Sequence, residues 1–276
     1  MKYTKITIKT DNRHRVPYFI GSQVRGALGY ILKKTVCINP SFKCEGCFAS
    51  SSCLYYEFYE AKNATLKYRL DFDLGKDHYD FDLYLFEDSC SKAPYIISAL
   101  YTLFSKSGIG KDRNIYDSLE MYVNNIDILK EDNISLPKEY IKTFEIKSIY
   151  KDLVLHFVTP LRLKKNNRFI RDDSLELNDI INSIYQRQMR LLDRDYRRFP
   201  YEIKGEIVAK DLSYKELTRK SNRQQIVMNM GGIVGSITIK DIDEKSYNIL
   251  RLGELLAVGK QSVFGLGKIM IKELDE

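Results

Sequence analysis

Apolar and polar residues alternate from Lys2 to Thr10, with Tyr3, Ile6 and Ile8 set between Thr and Lys, and this period of two predicts a strand. The period then changes. Gly21 and Ser22 open a stretch from Gln23 to Val36 in which Val24, Ala27, Leu28, Ile31 and Leu32 recur at helical spacing. Leu66–Leu74 and Tyr79–Phe86 alternate strictly on either side of a turn containing Gly75, which predicts a hairpin. Pro94 starts an apolar helix running to about Phe104, Gly108 and Gly110 end it, and Tyr116–Leu129 returns to a strand pattern.

The stretch Asn133–Lys138, with Pro137, reads as a linker, and the same order then repeats. Lys151–Val158 is a predicted strand ending at Thr159-Pro160, Leu175–Leu192 a helix, Glu202–Lys210 a strand, and Met228–Ile239 a strand interrupted by Gly231, Gly232 and Gly235. Ile242–Ala257 follows as a helix and Val263–Ile271 as the closing strand. Each half therefore reads βαββαβ, the ferredoxin-like order. The expected architecture is α+β: an N-terminal domain over 1–132 carrying a cysteine-rich insert at 37–57, and a C-terminal domain over 139–276.

Composition adds a charge map. The net charge of +7 is a weak pointer to a polyanionic partner, and its distribution says more. Residues 1–43 hold nine Lys and Arg against one Asp, whereas Leu70–Cys90 holds Asp71, Asp73, Asp77, Asp80, Asp82, Glu87 and Asp88 against one Lys. No apolar run approaches the roughly 18 residues of a membrane span, and the alternating N-terminus is unlike a signal-peptide core. The expectation is a cytoplasmic protein with no membrane partner.

Three basic segments suit a phosphate backbone. Residues 255–271 carry Gly259, Lys260, Ser262, Gly265, Gly267 and Lys268 between the last helix and the last strand. Glycines there permit positive φ and let amides approach a phosphate, while the lysines supply charge; three glycines also make a plain tight turn. Arg187, Arg190 and Arg194 fall at spacings of three and four in the helix from Leu175, with Tyr185 and Tyr196 interleaved. Asp193 and Asp195 leave open a solvated, salt-bridged face. Lys164, Lys165 and Arg168 form a further cluster after the Thr159-Pro160 bend, or a plain exposed loop.

The stretches LLAVGKQSVFGLGKIMI (255–271), RQQIVMNMGGIVGSITI (223–239), FVTPLRLKKNNR (157–168) and GSQVRGALGYILKKTVC (21–37) resemble the CRISPR precursor-RNA processing endoribonucleases of the RAMP superfamily. The resemblance implies a metal-independent endoribonuclease that cuts CRISPR repeat RNA into guide RNAs. In that chemistry the 2′-OH attacks its own phosphate and leaves a 2′,3′-cyclic phosphate and a 5′-hydroxyl. The alternative within the same superfamily is a non-catalytic RNA-binding subunit of a CRISPR effector complex.

Transesterification uses a base, an acid and a cation near the phosphorane. Of three histidines, His14 stands between the first strand and first helix beside Arg13, Arg15 and Tyr18, and is the first candidate; His156 alternates with Val154 and Val158 like a sheet histidine, and His78 sits in an acidic turn. The family places catalytic groups in or just after the first helix, where this chain has cysteines and no histidine. A histidine-free mechanism, with Tyr18, Arg25 or Lys33 stabilising charge or moving protons, is the other reading. Cys37, Cys44, Cys47 and Cys53 supply four thiols within 17 residues, a donor set suited to structural zinc or else simply reduced, and Cys90 stands alone.

Overall fold

A computed structural model describes every residue except 147, 196, 222–225, 275 and 276. The chain divides into two compact units, Met1–Thr143 and Phe144–Glu276.

In the first unit, β1 (Lys2–Thr10), α1 (Gly21–Val36), β2 (Tyr68–Phe72), β3 (Asp80–Phe86), α2 (Ala93–Thr102) and β4 (Leu119–Val123) follow one another as the alternation predicts. The strands lie in the order β2-β3-β1-β4, every neighbouring pair antiparallel. Ile6, Ile8, Leu70, Phe72, Phe81, Leu83, Met121 and Val123 are buried on one face, as are Val24, Leu28, Ile31 and Leu32 of α1 and Ile96, Ile97 and Leu100 of α2. The opposite face carries the acidic residues. Asp82 accepts from Thr7 at 2.5 Å and faces Lys5 at 4.0 Å, Asp80 pairs with Lys76, and Asp71 pairs with the fully buried Arg69.

The predicted strand Tyr116–Leu129 is shorter, because Asn124 and Asn125 take positive φ (49° and 69°) and turn the chain into a short strand at Ile126–Asp127. Glu131 and Asp132 do the same at 46° and 64°, so the expected linker begins as a small hairpin of Leu129–Lys130 with Asn133–Ile134. Both are turns of the kind that match strand twist.

The second unit repeats the plan with β5 (Leu153–Leu161), α3 (Leu177–Leu191), β6 (Glu206–Lys215), the hairpin β7 (Thr218–Ser221) and β8 (Ile226–Asn229), β9 (Gly232–Lys240), α4 (Glu244–Leu256) and β10 (Ile269–Glu273). Its sheet order is β6-β9-β5-β10, antiparallel throughout, the same order as in the first unit. The expected strand over Met228–Ile239 is two strands parted at Met230-Gly231, the first pairing with β7 and the second with β6 and β5. The closing strand begins at Ile269 instead of Val263, since Ser262–Phe264 is a 3-10 turn and Gly265 and Gly267 have φ of 81° and 77°.

The helix ends are chemically marked. Glu176 and Asp179 form a reciprocal capping box at α3, and Asp243 accepts from the Ser246 N–H at 3.1 Å at α4. Where α4 meets the core, a Cβ on Gly253 would stand 2.6 Å from Ile184 and 2.8 Å from Ile269. Among the described residues no helix is long and apolar enough to cross a membrane. Gly253→Val should lower the unfolding free energy by about 1–3 kcal/mol through overpacking against Ile184 and Ile269, measured by urea denaturation.

Candidate nucleic-acid interface

Helix α1 has no acidic residue in its first turn and carries Lys33 and Lys34 in its last, so its charge is cationic and grows toward its C-terminus, where the helix dipole favours it. Arg25, Gly29 and Lys33 recur every four residues and share one face. That face is clasped by the aromatic segment after the cysteines. Tyr55 and Tyr59 stack at 5.2 Å, Tyr59 lies against Gly29, where a Cβ would meet its ring at 2.6 Å, and Arg25 stands 4.7 Å over the Tyr59 ring. Arg25 donates from Nε to Tyr68 Oη at 2.9 Å, and Tyr59 donates back to the Arg25 carbonyl at 3.0 Å. Lys33 lies 5.0 Å over Tyr55 and 5.5 Å over Phe42. Arg25 and Lys33 are thus brought together, with Arg25 built into the packing. Burial pushes the Tyr59 and Tyr68 phenols up, so neither is a ready proton acceptor.

His14 and Tyr18 have other neighbours. The His14 ring meets Tyr116 edge-on at 5.3 Å, next to Arg13, whose guanidinium pairs with Asp11 and Asp117. Tyr18 is 48% exposed, its ring against Gly75 and its carbonyl accepting the Gly75 N–H at 3.0 Å. His156 lies mid-strand between Ser236 and Met270, and His78 contacts Asp77 at 2.6 Å.

One residue of this helix was missed by sequence reasoning. Tyr30 is 54% exposed, with the Lys34 ammonium 4.5 Å from its ring. The hydrogen bond and charge of Lys34 hold its phenol below the usual tyrosine range, and Arg113 adds to the effect. Shifted phenols elsewhere, Tyr79, Tyr101, Tyr116, Tyr122 and Tyr247 among them, move upward. The Tyr30/Lys34 spacing is visible in sequence as i, i+4. The approach of Arg113 is not, because it depends on how the turn after α2 folds back.

The four insert cysteines are free and partly exposed. Cys44 and Cys47 share a turn closed by the Cys47 N–H on the Cys44 carbonyl at 3.3 Å, with Gly46 at φ 66°, and the Cys37 thiol donates to the Asn39 carbonyl at 3.7 Å. The donor chemistry suits zinc. Among the described residues, however, no three His, Cys, Asp or Glu side chains are gathered as a metal site.

In the second unit the glycine-rich loop is held by its own backbone. The Gly259 N–H donates to Ser183 Oγ at 3.0 Å, Lys260 to the Arg162 carbonyl at 3.0 Å, Gly265 to Ser262 at 2.9 Å, Gly267 to Pro160 at 3.2 Å and Lys268 to Thr159 Oγ1 at 2.9 Å. Thr159 in turn donates to the Gly265 carbonyl at 2.9 Å. The amides expected to meet a phosphate are therefore already used inside the fold. Glycine is required for packing: a Cβ at Gly259 would stand 2.6 Å from the Arg162 carbonyl, and one at Gly267 would collide with that of Val258. Ser262 is buried, Lys268 half-buried, and Lys260 carries its charge into solvent.

Lys164, Lys165 and Arg168 lie on a two-strand hairpin whose turn residues, Asn166 and Asn167, have φ of 51° and 61°. Lys164 and Arg168 are exposed, whereas Lys165 pairs with Glu176 at 2.9 Å and Asp179 at 3.7 Å, the capping box of α3. Arg187 and Arg190 lie on α3, but Arg194 does not share its face. The helix ends at Leu191, Asp193 takes φ 53°, and the Arg194 N–H closes on the Met189 carbonyl at 2.8 Å in a Schellman turn. Tyr196 lies outside the described residues.

Residues 1–139 match the family model AF_1859_N, an N-terminal domain, and residues 155–269 match the model of the CRISPR-associated endoribonuclease Cas6. An uncharacterized protein of Archaeoglobus fulgidus is 22% identical over 291 residues, covering 94% of each chain. Among solved structures, a Cas6 product complex superposes with a TM-score of 0.57 at 14% identity, over 99% of each chain. The Cas6 of Thermus thermophilus gives 0.53 at 13% identity, over 99% of this chain and 98% of that one. These likenesses bear out the two ferredoxin-like folds.

The loop geometry predicts that Gly267→Ala lowers the thermal midpoint by several degrees, since a collision with a carbonyl cannot be relieved by a rotamer change. Gly26→Ala, with nothing within 4 Å of its Cβ, should be neutral or slightly stabilising in the same melt.

Proposed function

Because the chain belongs to the Cas6-type CRISPR-associated RNA-processing proteins, we propose that it binds CRISPR repeat RNA and cleaves it by metal-independent transesterification. The observation that carries the catalytic reading is Tyr30, an exposed phenol held toward its ionised form by Lys34 and Arg113. Its phenolate takes the proton of the 2′-OH. The 2′-oxygen then bonds to phosphorus, the bond from phosphorus to the 5′-oxygen breaks, and that oxygen takes a proton from solvent water, giving a 5′-hydroxyl beside a 2′,3′-cyclic phosphate. Lys34 and Arg113 are proposed to meet the negative charge that develops on the phosphorane oxygens. Lys33 adds charge on the same helix, and Arg25 fixes the helix through Tyr59 and Tyr68. His14 and Tyr18 are proposed as secondary participants.

Lys164, Arg168, Arg190, Arg194 and Lys260 are proposed to meet the RNA backbone, with Arg187, Lys165 and Lys268 at its margin. The insert thiols are proposed to hold a structural zinc, so metal analysis of purified protein should find about one zinc per chain, lost in a Cys44→Ser, Cys47→Ser variant.

A second reading, a non-catalytic RNA-binding subunit of an effector complex, is favoured by one observation. His78 contacts Asp77 and His156 lies mid-strand, so neither offers an open acid or base. Labelled repeat RNA and a 2′-deoxy copy, incubated with the protein in EDTA, separate the two readings. Cleavage of the ribo form alone, leaving a cyclic phosphate, is expected; tight binding without cleavage supports the subunit reading. Tyr30→Phe should slow single-turnover cleavage by about 100-fold or more, and His14→Ala by less than about tenfold. The rate should rise with pH until the Tyr30 phenol is ionised. Lys34→Ala, by letting that pKa return toward 10.0, should move the rise to higher pH.

A further inference from the structure

Arg162, immediately after β5, is only 7% exposed. Its Nη1 donates to the Gly231 carbonyl at 2.6 Å, and its Nε has no hydrogen-bond partner. Its guanidinium lies 4.4 Å over the Phe169 ring, with the Lys164 ammonium 5.1 Å from that same ring. Arg171, two residues beyond Phe169, is exposed and lies 5.3 Å over Tyr214. Among the described residues, none of these three cations has a carboxylate partner. Lys165, one residue from Lys164, has two. Burial and the nearby charge of Arg171 push the Arg162 pKa down, with Tyr214 acting the other way.

A buried guanidinium with an unused donor and a second cation beside it is an arrangement that an anion completes, because desolvated charge is tolerated when it is paired. The surroundings favour a phosphate. Arginine offers phosphate a planar set of donors, and the Arg162 carbonyl also accepts the N–H of Lys260, whose side chain reaches solvent at the rim of the glycine loop. We propose that Arg162, Arg171 and Lys164 form a binding site for a single phosphate group, filled in function by one phosphodiester of bound RNA. The RNA assignment rests on the reading of the chain as an RNA-binding protein; the anion site does not.

The test uses the full chain with two probes, inorganic phosphate and repeat RNA lacking terminal phosphates. Thermal melts in phosphate are compared with melts in chloride at equal ionic strength, and RNA affinity is followed against salt. Phosphate should raise the wild-type midpoint by a few degrees, and Arg171→Gln should lose most of that rise. The same variant should weaken RNA binding about five- to tenfold and reduce the salt slope by about 1. Arg162→Lys separates a structural role from a binding one: a variant that melts earlier yet keeps the full phosphate response would overturn the site. A phosphate response absent from wild type, or equal in Arg171→Gln, overturns it too. Loss of the response with unchanged RNA affinity and slope overturns the phosphodiester assignment and points to a free or terminal phosphate. A wild-type protein that binds no RNA but shows the Arg171-dependent phosphate shift upholds the anion site while removing the RNA reading.

Discussion

The second unit depends on a close passage of backbone past backbone, where the chain at Gly259–Lys268 runs against the end of β5. Thr159 sits at its centre, donating to the Gly265 carbonyl and accepting from the Lys268 N–H. Pro160 and Arg162 carbonyls take further N–H groups from the loop, and Gly259 and Gly267 have no room for a side chain. This contact joins the last helix, the last strand and the central strand of one sheet. It also fixes where Arg162 emerges, so the stability of the loop and the placement of its neighbouring cations have a common origin.

Charge is zoned by the same architecture. In the first unit, strand alternation sends Asp71, Asp80 and Asp82 to the sheet face opposite the helices, where Arg69, Lys76 and Lys5 answer them. That face is largely self-compensated. Exposed cations stand elsewhere: Lys34 on α1 in one unit, and Lys164, Arg168 and Arg171 in the other. Polyanion attraction therefore comes from local surfaces more than from the net charge of +7.

Most of the fold was legible because period-two and period-3.6 patterns in this chain are clean; β1, α1, β3 and α4 lie within a few residues of where alternation and spacing put them. Missed boundaries have local causes. Asn124-Asn125 and Glu131-Asp132 adopt positive φ without glycine, and Gly265 and Gly267 delay the closing strand. The site was less legible. Sequence spacing placed Arg194 on a helix that Asp193 terminates, and it treated Lys165 as open when the capping box of α3 engages it. It passed over Tyr30, although the i, i+4 spacing to Lys34 is visible in sequence, and over Arg162, whose setting comes from Gly231 and Phe169, which only tertiary folding brings near.

The environment of Tyr30 has an optical consequence. The chain contains 20 tyrosines and no tryptophan, so its near-ultraviolet absorbance is almost wholly phenolic. With Lys34 and Arg113 favouring the phenolate of Tyr30 while burial holds Tyr59, Tyr68 and Tyr79 back, Tyr30 contributes to the early part of the red-shifted absorbance that develops on alkaline titration. The helix thus contains an intrinsic chromophore whose ionisation reports on whatever binds beside it, without any attached label.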